Sequence, residues 1–325
     1  MMKKFITIAA VALLFAACSN DDGIAYTNEE IKIKTTIGTM TKTALDDKNA
    51  TQFVAGDQFM LYAWDGTLSA TNTPWINGVN VTLGTDNKWV PASQILWKTE
   101  QTSHDFLAIY PSSIISTGAD LSAVSYTLND AGAVIANDIL RAYSPAVKMP
   151  EDNVLTLPFK HIMAKLKVNL SFRNQWDVAP TVTSVTANLA SAATINFYDG
   201  TISPAAGTTS SLRTLTALAT PATGYTYSYE IIAVPGDANF NQIVITIDGK
   251  TYTYTYTPED SDSANNLSLI SGKITTVNLV VGRNKVELDM EGSGSGSGEG
   301  EGSKGIYISE WTDNTNYSGD AYGAQ

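Results

Sequence analysis

The stretch VLTLPFKHIMAKLKVNLSF, residues 154–172, decides how the chain is read. It lies near the middle of the sequence and holds two alternating runs. Leu155 and Leu157 lead into Pro158 and Phe159, and farther on Leu166, Val168, Leu170 and Phe172 alternate with Lys165, Lys167, Asn169 and Ser171. A period of two sustained over that length describes a strand with one dry face and one wet face. Proline has no N–H to give a ladder, so Pro158 is expected to mark an end or a bend between the two runs. The stretch is therefore expected to carry the chain from a first β domain into a second.

Before it, residues 30–38, EIKIKTTIG, read as the first strand, with Ile31, Ile33 and Ile37 on one face and Lys32, Lys34 and Thr36 on the other. A polar loop, 39–51, carries Lys42 and Lys48 and no arginine. A turn at 53–58 precedes a strand at 59–64. Residues 79–83 and 88–91 form a short hairpin across Gly84-Thr85-Asp86-Asn87. The run DFLAIY, 105–110, is a buried strand stopped by Pro111, and 121–128 is a further edge strand; 138–142 is too short to assign.

After the central stretch the signals sharpen. Strands are expected at 181–189, at 194–198 ending in Asp199-Gly200, and at 224–234 with Tyr225, Tyr227 and Tyr229 on one face. Ile243, Ile245 and Ile247 line the next strand, and Asp248-Gly249-Lys250 makes a hairpin turn, glycine supplying positive φ. The return strand, 251–257, sets Tyr252, Tyr254 and Tyr256 on one face, and 273–281 is a late strand. No segment sustains a helical period. Short strands punctuated by Gly, Pro and Asn turns give an all-β chain of two tandem β-sandwiches, residues 29–157 and 158–290. Residues 291–305, rich in Gly, Ser and Glu, are a flexible linker by composition, followed by a C-terminal strand and tail, 306–325.

Size and charge agree. The 325 residues are long for one sandwich and comfortable for two, and at 43% hydrophobic they can build a core. The net charge of −12 comes without a basic cluster, which argues against nucleic acid as a partner. A single cysteine, Cys18, excludes a disulfide framework. It stands behind Lys3, Lys4 and an apolar run, 5–15, too short to span a bilayer. Leu14-Phe15-Ala16-Ala17-Cys18 resembles a bacterial lipobox, with Phe15 where leucine is usual. Residues 1–17 would then be a lipoprotein signal peptide, Cys18 the lipidated first residue, and 18–28 a tether. Asp21 and Asp22 resemble the surface-export signal of Bacteroidetes lipoproteins.

Three stretches complete a family pattern: FVAGDQFMLYA at 53–63, DFLAIYP at 105–111 and LPFKHIMAKL at 157–166. Together with the lipobox they resemble the fimbrillin family of Bacteroidetes, the pilins of type V pili, and in particular its minor-fimbrium-like branch. The resemblance covers most of the chain from Cys18 to about Asp289. It implies transthyretin-like sandwiches, export as an outer-membrane lipoprotein, proteolytic loss of the first strand, and polymerisation by strand exchange into an adhesive pilus. Its partners would be other pilin subunits, the outer membrane through lipid on Cys18, and a receptor on a host or bacterial surface. In well-known members the cut follows an arginine; here Lys42 and Lys48 are the candidate sites. Ile31, Ile33 and Ile37 would leave with the displaced strand. The C-terminal piece, with Ile306, Ile308 and Trp311, is the candidate donor strand, since Ile306-x-Ile308 repeats Ile31-x-Ile33.

Catalytic signals are weak, and no catalytic residue, metal site or cofactor is expected. His104 and His161 lack metal-ligand spacing, and His161 reads as a packed or hydrogen-bonded histidine. The acids Glu259, Asp260 and Asp262 lack the glycine and later glutamate of a calcium loop and read as solvated. Asp262-Ser263-Ala264 resembles a Bacteroidetes O-glycosylation motif, making Ser263 a candidate acceptor. The competing function is glycan capture without polymerisation, on aromatic platforms among Trp64, Trp75, Trp89 and Trp97. Trp75, in a loop beside Pro74, is the best exposed candidate for that contact.

Overall fold

The computed structural model describes residues 28–37, 53–116, 118–129, 137–256, 267–290 and 305–311. Among them the only helical element is a single 3-10 turn, Ser112–Ile114. The all-β expectation is borne out. A seven-stranded sheet runs in the order β1 (Lys32–Ile37), β8 (Val154–His161), β7 (Leu140–Val147), β5 (His104–Tyr110), β2 (Gln58–Asp65), β3 (Ile76–Leu83) and β4 (Trp89–Pro91). It curls until its two ends meet. The Trp89 indole on β4 donates to Thr35 Oγ on β1 at 3.1 Å, and the Ile31 amide reaches the Ile95 carbonyl at 3.0 Å. The space enclosed is an apolar core that includes Ile33, Phe59, Trp89, Phe106, Leu155 and Phe159.

Beyond β8 the chain enters a true two-layer sandwich. One layer holds β13 (Ser211–Thr214), β10 (Val182–Leu189), β16 (Gln242–Ile247) and β17 (Lys250–Thr255). The other orders β14 (Thr216–Ala217), β15 (Tyr227–Ala233), β9 (Ala164–Phe172) and β18 (Lys273–Val281), with β19 (Val286–Leu288) and β20 (Ile306–Glu310) both on the far side of β18. Their facing apolar rows, Leu166, Val168 and Leu170 against Val185, Ile243 and Ile245, make a second core. The β16–β17 turn is the one expected. Asp248 and Gly249 both take positive φ, 48° and 78°, so the hairpin matches the right-handed twist of its strands.

A third sheet joins the two regions. β6 (Val124–Thr127), from the first half, pairs with β11 (Ala192–Asn196), which pairs with β12 (Thr201–Pro204) from the second. This sheet covers the outer face of β2 and β5, so Met60, Tyr62, Trp64, Leu107 and Ile109 are buried with Ile195 and Phe197. Both faces of β2 and β5 are thus dry, which is why FMLYAW and DFLAIY read as continuous apolar runs rather than alternating ones. Arg141 on β7 ties the same junction, donating to the carbonyls of Phe197 at 2.7 Å and Tyr198 at 2.8 Å.

Several expectations need correction. Pro158 does not end a strand; it lies inside β8. The β7–β8 ladder stops at Phe159, one residue short of Pro158, so the missing N–H costs no bond on that side. The crossing falls instead at Ile162–Met163, where Ser271 Oγ donates to the Ile162 carbonyl and the Gly272 amide to that of Met163. Residues 140–142 of the segment left unassigned belong to a full strand, β7, which Asp138 and Ile139 lead into. The strand expected at 121–128 is shorter and is the edge of the joining sheet, not of the first one. The short strands β12, β13, β14 and β19 carry no clear alternation and were not expected.

Candidate assembly site

Two terminal strands make up the candidate site. β1 lies in parallel register with β8, Ile33 opposite Leu155 and Ile37 opposite Phe159. It is last in its sheet, and its inward row is sealed: Ile31, Ile33 and Ile37 are buried, and so is Thr35, which the hydrophobic pattern missed. The three isoleucines take their expected places. Thr35 is there because its hydroxyl gives the Trp89 indole a partner inside the core, where an unpaired N–H would be costly. Removing β1 would leave β8 with an open ladder and uncover Leu155, Leu157 and Phe159.

The three motif stretches meet next to this groove. Phe53 and Phe59 from the first, Tyr110 from the second and Phe159 from the third form an edge-to-face cluster with ring centroids 5.2–5.3 Å apart. Asp57 fastens it, accepting the Val54 amide at 2.7 Å and the Tyr110 hydroxyl at 3.0 Å. Burial, and then the Asp57 charge, push the Tyr110 hydroxyl pKa far up. Asp105 of the second motif is likewise committed to structure: it accepts the Leu68 and Ala146 amides and the Tyr143 hydroxyl, each within 2.8 Å. Burial and that bond to Asp105 push Tyr143 up to about 12.

β20 lies antiparallel on β18, Ile306 opposite Val277 and Glu310 opposite Lys273. The candidate donor strand is thus paired within its own chain rather than held out from it. Its isoleucines do not share one environment. Ile306 is 1% exposed in the second core, whereas Ile308 is 36% exposed. Trp311, just past the strand, is buried. It stacks on His161 with centroids 3.8 Å apart and planes within 7°, and the Lys165 Nζ sits 4.5 Å over its ring. His161 Nδ1 lies 2.8 Å from Asp138 Oδ1, both residues buried. Closed over by the indole, this pair is the packed, hydrogen-bonded histidine expected of the central stretch.

The aromatic platforms are mostly inside. Trp64, Trp89 and Trp97 are each at most 1% exposed. Trp75 is half-buried rather than exposed, edge-on to His104 at 4.7 Å and to Phe106 at 5.7 Å. It packs on the first core through the loop that folds back over β2, a tertiary contact that Pro74 beside it gave no sign of. Among the described residues no group of three His, Cys, Asp or Glu is placed to hold a metal ion. Cys18, Asp21, Asp22, Lys42, Lys48 and Ser263 lie outside the described residues, as do Glu259, Asp260 and Asp262.

With this geometry in view, the family model described as fimbrillin-like matches residues 23–293. The chain belongs to the fimbrillin-like family. Solved structures agree on the fold. A candidate cell-adhesion protein of Bacteroides uniformis is 17% identical with a TM-score of 0.60, covering 88% of this chain and 99% of that one. Another, from Bacteroides ovatus, is 17% identical with a TM-score of 0.63, covering 88% and 98%. No curated protein matches the sequence. Within this fimbrillin-like chain, the motif stretches bear on the fold, their Phe53, Phe59, Tyr110 and Phe159 building the aromatic cluster beside the β1–β8 ladder.

Proposed function

We propose that this chain is a structural subunit of a cell-surface pilus, not an enzyme, made as a lipoprotein and polymerised when proteolysis releases β1. Membership of the fimbrillin-like family supports the pilus assignment. The observation that carries strand exchange is the setting of β1: the last strand of its sheet, laddered to β8 and tied only at its start to residues 95–97, with its whole inward row buried. Such a strand can leave without unthreading the rest of the sheet, and its loss creates a strong demand for a replacement. Burying three isoleucines is worth roughly 4–9 kcal/mol before ordering costs. In this reading two β domains, meeting at Ile162–Met163, form the body, lipid on Cys18 anchors the precursor with Asp21 and Asp22 directing it outward, and the cut falls at Lys42 or Lys48. Ile306 and Ile308 of β20 offer one candidate replacement row, from another copy or a related subunit.

The test is maturation. Changing Lys42 and Lys48 together to Ala should leave a folded monomer that keeps β1 and forms no fibres. Mass spectrometry of wild-type fibres should find a mature N-terminus beyond residue 37. An N-terminus at Cys18 in assembled fibres would overturn the proposal.

A further inference from the structure

β19 and β20 are separated in sequence yet share one side of β18. Their registers are continuous. Leu288 faces Leu279, Asp289 and Asn278 are joined by the Asp289 amide at 2.9 Å, and Ile306 faces Val277. Prolonging β19 by two residues would bring Met290 opposite Val277; Ile306 stands in that place, and Met290 is 50% exposed instead. Gly305 closes the joint, its amide bonded to the Asp289 carbonyl at 2.8 Å and its carbonyl to the Asn278 amide at 2.9 Å. The edge is therefore built as though residues 290–305 were absent.

The second half of that edge is held at its two ends. At one, Ile306 fills a place in the second core. At the other, Trp311 is clamped between His161 and Lys165, and its amide donates to the Gly272 carbonyl at 3.2 Å. Between them Tyr307, Ile308, Ser309 and Glu310 are exposed and contribute little beyond the ladder and a Glu310–Lys273 ion pair at the surface. The clamp is itself backed: Asp138 holds His161, and Glu230 lies 3.9 Å from Lys165 Nζ. These groups sit at the crossing between the first sheet and the second, so the strand's far end is pinned to the junction of β8 and β9.

We propose that β19 and β20 are two halves of one edge strand, and that Trp311, seated on His161 beneath Lys165, is the latch that keeps the second half in place on its own chain. Opening the latch frees β20 as a unit and bares the β18 ladder from Lys273 to Val277. Only the consequence for assembly rests on the strand-exchange reading; the latch is a property of the monomer.

Hydrogen exchange followed by mass spectrometry on the uncut, monomeric chain tests it. Trp311→Ala should speed exchange across 305–311 by about tenfold or more, while 104–110 in β5 keeps its protection. Lys165→Met, which removes the cation but keeps the stem, should speed the same segment several-fold. Tyr307→Ala, on the exposed middle of β20, should change it less than twofold. Deleting residues 290–305 should give a folded chain in which the remaining β20 residues exchange more slowly than in the wild type. Unchanged exchange at 305–311 in Trp311→Ala would overturn the latch. If that variant loosens β5 as well, the deletion decides: slower exchange upholds the shared edge, and a chain that loses β20 protection or fails to fold refutes it. Fibre formation by the cut chain is scored separately, so a working latch on a chain that never polymerises would indict strand exchange alone.

Discussion

β1 and β20 begin from the same pattern and end differently. Each carries Ile-x-Ile and each is an edge strand, yet Ile31 and Ile33 are both buried while only Ile306 of the other pair is. The backbone does not account for this, since both strands are fully laddered to a neighbour. What differs is the layer above. The curled first sheet brings Trp89 and Trp97 into the core that β1 lines, whereas of β20's pair only Ile306 joins the second core. An alternating pattern states which side chains can share a face; the second layer decides whether that face is dry.

The comparison can be broken by mutation. The largest effect is expected at β1: Ile33→Ala should cost about 2–5 kcal/mol, as a cavity in a sealed core. Ile308→Ala at the matching place in β20 should cost less than about 0.5 kcal/mol. Urea melts of the two variants measure both, and equal losses would show that the two edges are not different. Ile306→Ala is expected between them, near about 2 kcal/mol, because its site is closed but lies beside a strand end.

Glu310 sharpens the question of what replaces β1. If Ile306 and Ile308 took the places of Ile31 and Ile33, Glu310 would fall where Thr35 now sits, buried against the Trp89 indole. A carboxylate there would be costly. Glu310→Thr should change the monomer's stability by less than about 0.5 kcal/mol, the Lys273 pair being exposed. It should raise fibre yield several-fold if β20 is the donor in that register, as quantified by sedimentation after cleavage. An unchanged yield would point to a different donor segment.

The smallest effect concerns pH. The hydrogen bond from Lys98 to Asp65, at 2.8 Å, holds that carboxyl below the usual carboxylate range; the Lys98 charge, Thr102 and His104 add to it against partial burial. A lowered folded value contributes stability above the ordinary carboxylate range, lost as pH falls through the folded value. Asp65→Asn should therefore melt slightly lower than the wild type at neutral pH, with the gap closing in acid. A gap that widens in acid would contradict the assignment.

Much of this was legible in residues 154–172 and in the turns. Leu166, Val168 and Leu170 alternate because one side of β9 faces a second sheet, and Asp248-Gly249 reports its hairpin because few residue pairs accept two successive positive φ values. The three isoleucines of β1 are equally readable. Thr35 was not, because its partner, the Trp89 indole, lies far along the chain and only the curl of the sheet brings it near. Trp75 failed for the same reason: a tryptophan next to proline in a loop looks available until the loop folds back onto His104 and Phe106.

The sequence by itself determined that the chain is β throughout, where most strands run, and which side chains can face a core, because these depend on a period of two and on local turn chemistry. Tertiary structure alone decided the pairing of β6 with β11, the passage of Pro158 through a strand, the shared edge of β19 and β20, and the seat of Trp311 on His161. Each of those joins residues distant in sequence through hydrogen bonds or packing, and no local pattern encodes which partner a strand edge or an aromatic ring will meet.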